Sequence, residues 1–240
     1  ILYRGRLIVS CDGGEDPYIV ALDAQTGKIA WKTFRKQETN KTFSFATSHV
    51  ATIHGRDELI SPAANCVMSL NPLDGSEYWR LPYEGYSVIP RPIYANGLIY
   101  LSTGYDSPKL LAASPPSNGQ EAKYAWQVDR GAPNTPSLLV IGERLYMVSD
   151  QGIATCVNAV TGKTVWQKRI GGNFSASPWY AEGRIYLLDE TGTTTVIEPG
   201  DQYNEIRKNR LDDRTLASPA VTDGALYLRG ATHLYKIVSP

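Results

Sequence analysis

A tryptophan follows a turn glycine by four residues at three places in this sequence, and each time an apolar, strand-like run comes first. The stretches are 19–31 (IVALDAQTGKIAW), 67–79 (VMSLNPLDGSEYW) and 154–166 (ATCVNAVTGKTVW), closing on Trp31, Trp79 and Trp166 after Gly27, Gly75 and Gly162. A looser fourth copy ends at Trp126, so the tryptophans at 31, 79, 126 and 166 are 48, 47 and 40 residues apart. One strand–turn–strand unit cannot bury its apolar face alone. Self-similarity at this period therefore implies units stacked on their own copies, as an array or a propeller.

A second landmark marks the other end of the repeat. Arg91-Pro92, Thr135-Pro136, Ser177-Pro178 and Ser218-Pro219 each precede a short apolar run and a turn glycine (Gly97, Gly142, Gly183, Gly224). A second run follows: Ile99-Tyr100-Leu101, Leu145-Tyr146-Met147, Ile185-Tyr186-Leu187 and Leu226-Tyr227-Leu228. Aromatic and β-branched mixtures of this kind favour strands, and proline, lacking an N–H, suits the first residue of one. Each repeat thus reads as four short antiparallel strands, a to d from the proline to the tryptophan, which is a propeller blade.

The expected fold is all-β: a single propeller domain over 1–240 with about six blades, at 1–35, 42–81, 86–130, 133–171, 174–211 and 214–240. The first lacks its Ser-Pro start, and the last stops at Ser239-Pro240 after strand c. An open edge of that kind is one that propellers cover with chain from the other terminus. The chain therefore reads as part of a seven- or eight-bladed ring whose upstream blades belong to a longer parent. Blade three carries an insertion at 114–121 in its c–d turn. Blade five has Glu198-Pro199-Gly200-Asp201 there and no tryptophan after it, so its docking should be weaker.

With 42% hydrophobic and 20% charged residues among 240, the composition is that of a globular protein with a substantial core. Lys plus Arg and Asp plus Glu both number 24, so no overall field favours nucleic acid, which is not expected as a partner. No apolar run approaches the roughly 20 residues of a membrane helix. Cys11, Cys66 and Cys156 are far apart with no CxxC spacing, which points away from a zinc site or an attached haem. Cys156 stands where Ala21 and Ser69 stand in the other repeats and reads as a small buried residue. His49, His54 and His233 fall in no metal-binding spacing, and neither a G-x-S-x-G elbow nor a P-loop pattern occurs. The run Asp12-Gly13-Gly14-Glu15-Asp16 lacks the spaced ligands of an EF-hand and reads as a turn. No metal site and no catalytic residue is expected.

The docking motif resembles the A-x-D-x-x-T-G-x-x-x-W repeat of the PQQ-like β-propeller family, also described as quinoprotein alcohol dehydrogenase-like. Residues 21–31 match in full, residues 156–166 keep Thr161, Gly162 and Trp166 with Asn158 for Asp, and residues 69–79 keep Gly75 and Trp79. The resemblance spans the chain and implies that each tryptophan packs on the next blade. Stretches such as 7–14 and 172–178 look most like the BamB-like branch. For that branch the resemblance implies a non-catalytic scaffold in outer-membrane or cell-envelope protein assembly, periplasmic or at the cell surface, with a protein or peptide partner. The family's dehydrogenases wall a quinone slot, beside a calcium ion, with a disulfide between adjacent cysteines and a facing tryptophan. No two cysteines here are adjacent, and Trp179, the one tryptophan outside the docking set, is expected to pack within strand a. Neither PQQ nor calcium is expected. The alternative is a PQQ-dependent dehydrogenase or another small-ligand propeller whose site is completed upstream.

In a four-stranded antiparallel blade the b–c loops and d–a crossings share one face, where the longer and more varied segments lie. Binding residues accumulate on such segments of a rigid scaffold. The b–c loops carry Tyr105, Asp106, Lys109 and Asp150, together with Asp12, Glu15, Asp16, Gln151, Asp189 and Glu190. The crossings carry Arg91, Arg130, Asn134, Asn173, Phe174 and Arg214, at the rim of the expected central funnel. Acidic loops beside inner Arg and Asn residues would make a polar pocket for a peptide edge, a glycan or a small anion. The plainer expectation is that the Asp and Asn residues cap turns and the arginines pair with them.

Overall fold

The computed structural model describes residues 1–37, 39–117, 120–222 and 224–238, and among them every regular element is a β-strand. The chain divides into two compact units, Ile1–Arg130 and Gly131–Pro240. The first holds three sheets: β1 (Leu2–Tyr3), β2 (Arg6–Cys11), β3 (Tyr18–Asp23) and β4 (Ile29–Phe34); β5 (His49–Ile53), β6 (Arg56–Ala63), β7 (Cys66–Leu70) and β8 (Glu77–Pro82); and β9 (Ile93–Ala95), β10 (Leu98–Ser102), β11 (Leu110–Ser114) and β12 (Lys123–Val128). The second holds β13 (Leu139–Ile141), β14 (Arg144–Val148), β15 (Ile153–Asn158) and β16 (Thr164–Arg169); β17 (Trp179–Ala181), β18 (Arg184–Leu188), β19 (Thr193–Glu198) and β20 (Asn204–Arg210); and β21 (Ala220–Thr222), β22 (Ala225–Arg229) and β23 (Leu234–Val238).

Strand order in every sheet follows the chain and each step is antiparallel, so among the described residues there are six sheets, as many as the expected blades, five of four strands and the sixth of three. Arg4-Gly5, His54-Gly55, Asn96-Gly97 and Glu182-Gly183 have positive φ at both positions, the type I′ geometry whose twist suits a two-residue hairpin. The prolines differ from expectation in detail. Pro92, Pro178 and Pro219 stand one residue before β9, β17 and β21, and Pro136 three residues before β13, so the missing N–H falls in the crossing rather than in the ladder. Asn118 and Gly119 of the insertion, Asp223 of the last a–b turn, and Ser239-Pro240 lie outside the described residues.

The ladder between the third and fourth strands explains the motif. Ala21 pairs with Trp31, Ser69 with Trp79, Ala112 with Trp126 and Cys156 with Trp166, and a one-residue bulge follows each pair. A small residue is therefore what faces the indole across the ladder, and burial pushes the Cys156 thiol up to about 11. In the fifth sheet the same register holds Val196 against Arg207. The turn chemistry is equally specific: Asp23 Oδ1 accepts from the Thr26 N–H and hydroxyl, both at 2.8 Å. Asn158 Oδ1 accepts the same pair from Thr161 at 2.9 and 3.0 Å. Only an acceptor oxygen is used, so Asn replaces Asp without loss.

Each tryptophan for which a docking partner is described reaches the following sheet. Trp31 donates to the Pro72 carbonyl at 3.3 Å and Thr33 to the Gly75 carbonyl at 2.6 Å. Trp166 donates to the Gly200 carbonyl at 3.0 Å. Trp79 shares a core with Ile99, Leu101, Leu111 and Ala113 of the third sheet, but its N–H goes to Glu58 in its own sheet at 2.8 Å. Trp126 lies against Tyr100 of its own sheet, ring centroids 5.7 Å apart. The cores form between successive sheets: Ile8, Ile19, Ala21 and Trp31 with Leu59, Met68 and Leu70 in the first unit, and Tyr146, Val148 and Cys156 with Phe174, Ile185 and Leu187 in the second. No sheet buries its faces alone, which is the physical reason for the repeat.

Candidate functional site

The b–c loops and d–a crossings are hydrogen-bonded to one another and so share a face. The Phe174 N–H donates to the Asp150 carbonyl at 2.9 Å, Glu190 N–H to Asn173 at 2.8 Å, Thr215 N–H to Glu190 at 3.1 Å and Tyr105 N–H to Tyr86 at 2.9 Å. The acids hold this backbone in place. Asp150 accepts from the Asn134 and Thr135 N–H groups at 2.7 and 3.1 Å, and Asp189 from Thr191 and Thr193 at 2.8–2.9 Å. Asp213 accepts from the Thr232 hydroxyl and Tyr235, bonds that hold its carboxyl down at about 2. The serines of the Ser-Pro pairs link one crossing to the next: Ser177 Oγ accepts from the Ser137 N–H at 3.0 Å, and Ser218 Oγ from the Ser177 N–H at 2.9 Å. Asp12 is spent differently, in a buried two-point ion pair with Arg35 at 2.6 and 2.8 Å. Among the described residues no three His, Cys, Asp or Glu side chains converge as a metal-binding group.

The crossing residues separate into distinct environments. Phe174 is 2% exposed and belongs to the core between the fourth and fifth sheets, so its side chain takes no part in the loop surface. Asn173 is exposed and anchored through its carbonyl, and Asn134 is half-buried beside Asp150. Arg91 Nη2 lies 2.6 Å from His49 Nδ1, and burial with the neighbouring Arg91 charge lowers the His49 pKa, so the ring accepts from the guanidinium in its neutral form. Arg130 and Arg214 are exposed, and their guanidinium groups make no ion pair or hydrogen bond among the described residues.

On the loop face of the first unit, side chains that sequence reasoning passed over come together with two that it named. Ser44 forms a parallel bridge with Val88 and donates its hydroxyl to the Pro62 carbonyl at 3.1 Å. Alternation along an extended segment then turns Phe43 and Phe45 outward. They are 48% and 62% exposed, with rings 6.3 Å apart and 21° from parallel. Nearby, Tyr86 and Tyr105 meet edge-on at 5.9 Å, Lys41 Nζ stands 4.1 Å over the Tyr86 ring, and the Tyr86 hydroxyl donates to Asp106 at 3.1 Å. Lys109 shapes the loop through its backbone, exchanging bonds with Thr103 at 3.0 and 3.1 Å. A cleft of about 410 Å³ opens beside Phe45, lined also by Ser10, Cys11, Asp12 and Ser48. Clustered exposed aromatics with a cation and a carboxylate at their margin are the composition of a protein-binding surface rather than of bare solvent-facing loops. The signal in the sequence was the alternation Phe43-Ser44-Phe45, at the start of the segment assigned there to the blade at 42–81.

A family profile described as outer membrane protein assembly factor BamB matches residues 15–143 and 123–205. The outer membrane protein assembly factor BamB of Yersinia pestis is 26% identical over 202 residues, which is 75% of this chain and 49% of that protein. The crystal structure of BamB from Moraxella catarrhalis superposes with a TM-score of 0.69 at 14% identity, covering 93% of this chain and 69% of that one. The quinohemoprotein alcohol dehydrogenase from Comamonas testosteroni superposes with a TM-score of 0.64 at 12% identity, covering 88% of this chain and 42% of the other. These likenesses establish the fold: the six sheets are blades of a β-propeller. The chain spans about half the length of the curated relatives it matches.

Proposed function

This chain belongs to the outer membrane protein assembly factor BamB family, and on that premise we propose that it is a non-catalytic scaffold of the cell envelope that docks a protein or extended peptide. The observation that carries the reading is the cluster of exposed Phe43, Phe45 and Tyr105 and half-buried Tyr86, with Lys41 and Asp106, on the loop face of residues 1–130. Aromatic anchors of this kind supply most of an interface's energy, and the charges at their margin set orientation. Asp150 and Asp189 of the other loops are committed to capping backbone, whereas Phe43, Phe45 and Tyr105 of this cluster are turned toward solvent.

The scaffold reading uses neither PQQ nor calcium. It is supported by the placement of Cys11, Cys66 and Cys156 on β2, β7 and β15 and by the stacking of Trp179 on Tyr186 within its own sheet, centroids 5.0 Å apart. The test is cross-linking and pull-down of the protein from its own envelope fraction. Phe45→Ser with Tyr105→Ser, both exposed, should lower capture of the partner on the order of tenfold or more with the melting temperature unchanged. Undiminished capture by that variant would sink the aromatic-face reading. A bound quinone chromophore after incubation with PQQ and calcium, with alcohol-dependent dye reduction, would replace the scaffold by an oxidoreductase.

A further inference from the structure

We infer that the buried Asp12–Arg35 pair is the positioning element of the aromatic face: it holds loop 12–17 as the seat on which Phe43 rests. Its consequence for binding rests on the docking role proposed above. The loop leaves β2 at Asp12 and enters β3 after Pro17, and Arg35, the first residue after β4, closes it from both ends. The guanidinium gives Nε and Nη2 to the two Asp12 carboxylate oxygens at 2.6 and 2.8 Å, and the Arg35 N–H donates to the Pro17 carbonyl at 2.8 Å. Both side chains are buried, 0% exposed for Arg35 and 1% for Asp12. Arg35 is fixed from behind by the second sheet: Nη1 lies 3.9 Å from Met68 Sδ, and Arg80 donates to the Arg35 carbonyl at 3.0 Å.

What the loop presents to the aromatic face is backbone. Gly13 has φ +97°, and a Cβ placed on it would stand 2.7 and 2.8 Å from Cδ1 and Cε1 of Phe43, so the ring lies directly on the glycine. Gly14 accepts from the Thr42 hydroxyl through its carbonyl at 3.0 Å, which ties the residue before Phe43 to the same loop. Ring and loop therefore move together. Two adjacent glycines have no side chain to pack and the widest backbone freedom of any residue, so a seat made of them needs a clamp. A buried ion pair adds little net stability over an apolar pair of the same volume, because desolvation offsets the attraction. It does add direction, since the planar fork meets a carboxylate at two points and in one orientation. The Arg35 fork thus fixes where Gly13 stands, and with it a ring 48% exposed beside Phe45.

The chain has four phenylalanines, Phe34, Phe43, Phe45 and Phe174, so protein labelled with fluorophenylalanine gives a fluorine NMR spectrum in which Phe43 is identified by its loss in Phe43→Ser. Asp12→Leu with Arg35→Met replaces the pair by apolar side chains of similar volume and should leave the melting temperature close to wild type. The Phe43 signal should nonetheless shift and narrow as the ring leaves its seat, while that of Phe174, in the second unit, stays in place. Arg35→Lys keeps the buried charge but not the two-point fork and should shift the same signal with the fold intact. Gly13→Ala leaves the pair alone and displaces the ring by its added methyl group, again shifting the Phe43 signal. A Phe43 signal that stays put in Arg35→Lys or in Gly13→Ala overturns the proposal, whatever the double variant does. Pull-down from the envelope fraction is the second readout: Arg35→Lys and Gly13→Ala should each lower capture of the partner by the same factor as Phe43→Ser, on the order of tenfold. Wild-type capture by those two, where Phe43→Ser loses it, overturns the positioning role alone. Wild-type capture by all three overturns the docking reading itself.

Discussion

Gly75 shows how one residue serves two sheets. Its φ is +75°, and a Cβ placed on it would stand 2.5 Å from Cε3 of Trp31 and 2.7 Å from Thr33 Oγ1. Gly27 occupies the same turn position with φ +70° and nothing within 4 Å. Gly27→Ala should therefore cost only the left-handed backbone, about 1–2 kcal/mol. Gly75→Ala adds overpacking against the indole, about 1–3 kcal/mol more. Urea denaturation of the two variants measures the gap, and equal costs would mean that Trp31 does not sit on that turn. Both glycines were legible in the sequence because the turn chemistry is local. Arg35 was not. It is 0% exposed and held by Asp12, an arginine that reads as surface until a partner 23 positions away is known to be folded against it. Buried arginine survives only when paired, and pairing at a distance leaves no periodic trace.

At the scale of the element, the tryptophan strand is one device with two endings. Where the following c–d turn is short, as at Gly200, the indole N–H is satisfied by a turn carbonyl. In the second sheet Trp79 turns instead to Glu58, a carboxylate 2% exposed that also accepts from Ser69 at 2.6 Å and Arg56 at 2.7 Å. Removing a neutral donor from a carbonyl that water can reach costs about 1 kcal/mol, whereas removing one from a buried charged acceptor costs about 1.5–3 kcal/mol. Trp79→Phe should therefore destabilise more than Trp166→Phe although both lose the same atoms, and chemical denaturation of the pair gives the difference directly. If Trp166→Phe proves the costlier, Glu58 is not held by the indole. The strand, its register with a small residue and the turn after it could all be read from the motif. The partner of the N–H could not, because it depends on what the next sheet presents rather than on the strand itself.

Cohesion is unevenly spread along the whole chain, and the sequence shows only part of the cause. Repeat arrays draw their stability from contacts between neighbours, so a unit with poor neighbours opens first. Ile53, Leu59, Ile60, Met68, Leu70, Ile99 and Leu101 are wholly buried in the second and third sheets. By contrast β20 and β21 are exposed along their length, and β23 leaves Leu234, Ile237 and Val238 in solvent. Arg207 standing in the tryptophan register accounts for β20, and the missing tryptophan announced it. In the sixth sheet β23 has no fourth strand beside it among the described residues, an edge that a count of turns also foretold. The position of the exposed aromatics was hidden, because Phe43 and Phe45 are turned outward by the single bridge at Ser44 rather than by any repeat. Amide hydrogen exchange on the 240-residue chain should rank these regions: β20, β21 and β23 opening with free energies near zero, β6, β7, β10 and β11 only with global unfolding. Uniform protection across all six sheets would show that the fifth and sixth are held as firmly as the second and third, and that the tryptophan contact is not what sets cohesion between blades.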